Sequence, residues 1–100
     1  GVWVGGGTVT FASGAEKASC RATYSRAGAG YAMSGVCATP SGRAAQTATL
    51  RRVSDNSFEG RFYNKEYDIS GRITVYVNGK NQTVRLSSAN ASANIHLRKH

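Results

Sequence analysis

The sequence predicts an all-β fold: an antiparallel up-and-down barrel or half-barrel of about eight short strands, with a two-sheet β-sandwich as the alternative. Three observations lead there. Apolar and polar residues alternate with a period of two along most of the chain. Turn-forming residues break that alternation at fairly regular spacing, and no segment carries the apolar stripe of an amphipathic helix. At 100 residues the chain makes one domain, 1–100.

The elements follow in order. Val9 and Phe11 alternate with Thr8 and Thr10, up to a turn at Ser13-Gly14. Ala18, Cys20, Ala22 and Tyr24 then alternate with Lys17, Ser19, Arg21 and Thr23, and 27–30 supplies small residues that can reverse the chain. Two further runs, 30–38 and 44–53, flank Pro40-Ser41-Gly42. After a polar break at 54–57, Phe58, Gly60 and Phe62 alternate with Glu59, Arg61 and Tyr63, and Ser70-Gly71 marks the next turn. Ile73, Val75 and Val77 form the next strand. Asn78-Gly79, the strongest short hairpin signal, separates it from Val84 and Leu86. Ile95 and Leu97, alternating with His96 and Arg98, close the series. Closing such a meander into a barrel removes the exposed edges that invite aggregation.

The only two cysteines bound the stretch "CRATYSRAGAGYAMSGVC". Placing Cys20 opposite Cys37 centres the reversal between Gly28 and Ala29 and sets the two Cβ atoms about 4.5–5.5 Å apart, within reach of a cross-strand disulfide. A zinc site needs four ligands, and the chain adds only two histidines, both near its end. Redox catalysis favours a C-x-x-C spacing, which is absent. The pair therefore reads as a structural disulfide. It implies an oxidising setting, periplasmic or secreted, with no metal and no cofactor. The start "GVWVGGG" lacks both an initiator Met and a signal-like apolar stretch, as expected of a mature or trimmed chain. No apolar run approaches the roughly 20 residues of a spanning helix, so the expected protein is not transmembrane.

Thirteen basic residues face five acidic ones, for a net charge of +8, and nine of the thirteen are Arg. Such a field favours anionic partners: an acidic macromolecule or a lipid headgroup, with nucleic acid ranked below them. Arg21, Arg51, Arg61, Arg85 and Arg98 all fall on the polar phase of their strands, which places them on the outer surface near Tyr63. The segment "FYNKEYDISG" adds Tyr67 as rigid contact area. Glu66 and Asp68 flank that tyrosine at a spacing that can suit paired acid/base work. Neither His96 nor His100 has a neighbouring carboxylate or nucleophile in sequence, so catalysis ranks last.

The apolar inventory is thin, with three Phe, one Trp and one Met, and Ala supplies much of the remainder. Each buried CH2 contributes only about 0.8 kcal/mol, so the core is slender or leaves its concave side partly unfilled. Trp3, Phe11, Phe58 and Phe62 are the residues expected to line such a cavity.

Two resemblances add to this reading. "GVWVGGGTVTF" resembles the Gly-x-Trp opening of lipocalin- and avidin-type (calycin) barrels, which implies Trp3 packed across a barrel floor beside an arginine of the last strand, here Arg98 in "IHLRK". The pattern W-x-G-x-G-x-V, then C-R-A-x-Y and C-A, is similar to small exported bacterial β domains, mostly without assigned function. Single-disulfide barrels of this size also include periplasmic protease and lysozyme inhibitors. The expected function is therefore a non-catalytic exported binding protein that recognises an anionic or acidic partner through Arg21, Arg51, Arg61, Tyr63, Tyr67, Arg85 and Arg98. The alternatives are a carrier of a small apolar ligand and a periplasmic inhibitor of a hydrolase. A homodimer would cover any concave apolar face left open.

Overall fold

The computed structural model describes residues 2–65 and 68–100. Eight antiparallel strands run β1 (Val2–Phe11), β2 (Gly14–Ala27), β3 (Gly30–Thr39), β4 (Gly42–Arg52), β5 (Ser57–Asn64), β6 (Ile69–Asn78), β7 (Asn81–Ser87) and β8 (Ala91–Lys99). Each pairs with the next, and β1 also pairs with β8, so the sheet closes on itself as an up-and-down barrel. Neither a half-barrel nor a sandwich forms: with β1 and β8 hydrogen-bonded to one another, no free strand edge remains among the described residues.

Alternation places one phase of every strand inside. Ile73 and Val75 of β6 are fully buried, and Val84, Ile95, Leu97, Leu50, Met33 and Phe62 pack around them. On β2, Ala18, Cys20 and Ala22 share this inward phase. Cys20 lies directly opposite Cys37 in the β2–β3 ladder, and the two are joined by a disulfide. The bridge thus ties two adjacent strands from within the core rather than from the surface.

Turn chemistry follows the expected positions with one shift. Asn78 and Asn81 are the last pair of the β6–β7 hairpin, and Gly79 supplies the positive φ of 63° that the reversal demands. Ser70-Gly71, expected as a turn, lies inside β6 instead, because the chain reverses earlier, after Asn64. The glycine there answers to crowding. A Cβ on Gly71 would meet the Ser87 carbonyl oxygen at 2.0 Å and the Phe62 ring at 2.9 Å. The resemblance-based expectation for Arg98 is also corrected. Trp3 packs against the core, but Arg98 pairs with Val4, on the outward phase, and is not placed beside the Trp3 ring.

Candidate binding surfaces

The barrel has two ends, and they differ. At one end the chain enters and leaves through the 28–29, 53–56 and 79–80 turns. There Trp3, Tyr24, Tyr31, Phe58 and Gln82 surround a hollow of about 180 Å³. The Tyr24 hydroxyl donates to Gln82 Oε1 at 2.5 Å, and the Tyr31 and Phe58 rings meet edge to face at 5.3 Å. Burial pushes the Tyr24 phenol well above its ordinary range, so it keeps the proton that this bond needs. This end, with the smaller hollow of the two, is the floor.

The other end is a mouth. A cavity of about 270 Å³ opens between Val9, Phe11, Phe62, Ile69, Leu86 and Ala93. Its room comes from small inward side chains, Ala44, Ala91 and Ala93, where the middle of the barrel has Ile, Val and Leu. The four expected cavity residues are therefore divided. Phe11 and Phe62 come together at the mouth, while Trp3 and Phe58 belong to the floor. Ile73, Val84, Ile95 and Leu97 line neither hollow and belong to the packed core.

Polar groups converge on the mouth that the sequence reading did not single out. Glu16 accepts from Ser41 twice, from the backbone N–H at 3.2 Å and from the hydroxyl at 2.5 Å, which ties β2 to the β3–β4 turn. The Ser41 hydroxyl, helped by Thr39, holds the Glu16 carboxyl below its ordinary value of 4.5. Gln46 sits half-buried on the cavity wall, and its one hydrogen bond among the described residues runs from Nε2 to the Cys37 sulfur at 3.6 Å. Asn64, buried, lines the same cavity. The signal was available: Glu16 shares the phase of Ala18 and Cys20, and Gln46 that of Ala48 and Leu50, so the alternation alone turns both inward.

Outside, the expected arginines are scattered around the wall. Arg51 is engaged by Glu59 at 3.2 Å. Arg21 lies beside Val36, Arg85 between Thr74 and Asn94, and Arg98 between Asn81 and Val4. Arg61 and Tyr63 do share a surface, a shallow groove of about 680 Å³ over β2–β6 with Thr47, Thr49, Ser34 and Ser70. Directly across from Arg61 stands Arg72, which was not among the expected residues; its place follows from the β5–β6 register. Tyr67 and Glu66 lie outside the described residues.

No family model matches the sequence, and no curated protein matches it. The fold has solved counterparts among designed proteins. The redesigned β barrel mFAP1, bound to DFHBI, superposes with a TM-score of 0.79 at 10% identity over 99% of this chain and 93% of that one. The redesigned barrel mFAP0, also bound to DFHBI, gives 0.77 at 10% identity over 99% and 96%. A de novo designed fluorescence-activating β barrel gives 0.72 at 12% identity over 100% and 92%. At such identities the likeness is one of fold.

Proposed function

We propose that this chain is a non-catalytic binding protein that holds a small, largely apolar ligand in the mouth of its barrel. The observation that carries the reading is the unfilled cavity between Phe11 and Phe62, apolar on most sides, with the poorly bonded amide of Gln46 in its wall. Binding sites for small molecules have this composition: apolar walls that supply affinity and a few polar groups that fix orientation. The volume of about 270 Å³ exceeds the roughly 150 Å³ that takes benzene and stops short of the roughly 300 Å³ at which drug-sized sites begin. One or two rings therefore fit. The amide of Gln46 is half-buried with one long bond to sulfur, so a ligand with one donor or acceptor would add a partner to it. Two of the redesigned barrels with this fold are bound to DFHBI, which supports a ligand-binding use of the fold.

The setting belongs to the same proposal. A disulfide held in the core persists in an oxidising compartment, so the protein acts outside the cytoplasm.

Ala93→Phe tests the site, because Ala93 stands between Val9 and Leu86 on the cavity wall. Titration of the wild type with 2-naphthol, followed by methyl NMR shifts, is expected to move Val9, Ile69 and Leu86 and leave Val75 and Val77 of the far end unmoved. Ala93→Phe should abolish those shifts while the fold is retained. Binding that survives the filled cavity would overturn the proposal.

A further inference from the structure

The outer wall carries chemistry that an interior ligand site does not use. The ladder places Thr23, Ser34, Thr47, Tyr63 and Ser70 side by side in one row across β2 to β6. Neighbouring strands lie about 4.8 Å apart, so the row runs for roughly 19 Å with a hydroxyl at every step. The hydroxyls of Ser34, Thr47 and Ser70 have no hydrogen bond among the described residues. Tyr63 donates to Asp68 at 3.3 Å. The adjacent row brings Thr49, Arg61 and Arg72 into line. The hydroxyl row, Thr49 and Arg61 line the groove, and Arg72 stands next to it, directly opposite Arg61 in the ladder.

The Arg61–Arg72 pairing is the informative feature. Like charges directly opposite one another in a ladder are destabilising. Neither guanidinium has an ion pair among the described residues, because the nearby Glu59 is held by Arg51. Two planar forks facing the same water, without a carboxylate between them, match oxyanions presented in bidentate fashion.

We infer that this groove is a binding site for a linear acidic polysaccharide. Arg61 and Arg72 take its carboxylate or sulfate groups, the hydroxyl row exchanges hydrogen bonds with sugar hydroxyls, and Tyr63 lies against a ring face. The alternatives fit the surface less well. Single-stranded nucleic acid binds on successive aromatic platforms, and Tyr63 is the one outward-phase aromatic among the groove residues described. An interfacial membrane contact needs protruding apolar anchors, whereas this row is small and hydroxylated.

The test titrates the intact protein with three probes: an oligouronate, a sulfated glycan fragment of equal charge, and a single-stranded oligonucleotide of equal charge. The glycans are expected to bind more tightly than the oligonucleotide, with affinity falling as salt rises. Carboxylate and sulfate sources separate by which glycan binds more tightly. Arg61→Ala/Arg72→Ala should weaken glycan binding at least tenfold, and Thr47→Val should weaken it about threefold with the salt dependence unchanged. Lys80→Ala/Arg98→Ala removes the same charge away from the groove and should change affinity less than twofold. An equal loss in both double variants would mean that net charge alone attracts the probe, and the inference fails. Tighter binding of the oligonucleotide, or no binding of either glycan, also overturns it. The Ala93→Phe variant should bind the glycans normally, so failure at the cavity and failure at the groove are told apart.

Discussion

Residues with the same chemistry differ here according to the phase of the strand that holds them. Glu16 and Glu59 are both strand carboxylates, but Glu59 points outward to an exposed arginine, while Glu16 turns to the mouth and takes two bonds from Ser41. An exposed pair such as Arg51–Glu59 contributes little, typically about 0–1 kcal/mol. The Glu16 carboxyl is held below its ordinary value by the Ser41 hydroxyl, and this gives a pH dependence of definite sign. Where the folded-state pKa is lowered, the contribution is fully present above the ordinary value and is lost as pH falls through the folded value. Acid should therefore loosen the tie between β2 and the β3–β4 turn. Protection of the Ser41 and Gly42 amides, taken as exchange relative to the intrinsic rate at each pH, should fall as pH drops below 4.5. In Ser41→Ala that protection should already be lower at neutral pH and should respond less to acid.

At the scale of the element, each strand serves two surfaces at once. β5 sends Phe62 to the cavity and Arg61 and Tyr63 to the groove, so one residue of slip in its register would exchange the two sites' contents. The register is held partly by close backbone approach. Gly71 sits opposite Phe62, and any Cβ there would collide with the Ser87 carbonyl oxygen at 2.0 Å, a backbone atom that can yield only by moving β7. Gly71→Ala should cost about 1–3 kcal/mol, the range of overpacked sites, and should broaden the Phe62 ring signals. A denaturant midpoint unchanged from wild type would refute this. The floor is held differently: Tyr24 and Gln82 bond across the interior from β2 to β7, linking strands that are distant in the ladder.

For the molecule as a whole, closure and the disulfide act on different states. Closure gives every strand two neighbours, which removes edges from the folded protein. The Cys20–Cys37 link spans 17 residues of a single hairpin, and it stabilises chiefly by restricting the unfolded chain. Cys20→Ala/Cys37→Ala should lower unfolding free energy by about 3 kcal/mol while leaving the β1–β8 pairing intact. Urea unfolding of both forms measures the first, and exchange protection along β8 checks the second. Loss of protection throughout β8 under native conditions would show that the link is required for closure. Charge also acts at this scale. The net +8 gives the whole surface a positive field, but only the β5–β6 face sets two arginines opposite one another without an ion pair among the described residues. The field brings anions close; that face would read them.

Period-two alternation and its turn residues determined the strands, their inward faces and the Cys20–Cys37 pairing, because these depend on neighbours along the chain and on a hairpin with one plausible centre. The inward turn of Glu16 and Gln46 was legible by the same rule, although charge and polarity drew attention away from it. Tertiary structure alone decided three things: that β1 pairs with β8, that Phe11 and Phe62 share a cavity without Trp3 and Phe58, and that Arg72 faces Arg61. The physical reason is common to all three. Alternation reports which side of a strand a residue occupies, but its height along the barrel and its cross-strand partner depend on register, which is fixed only when all eight strands close together.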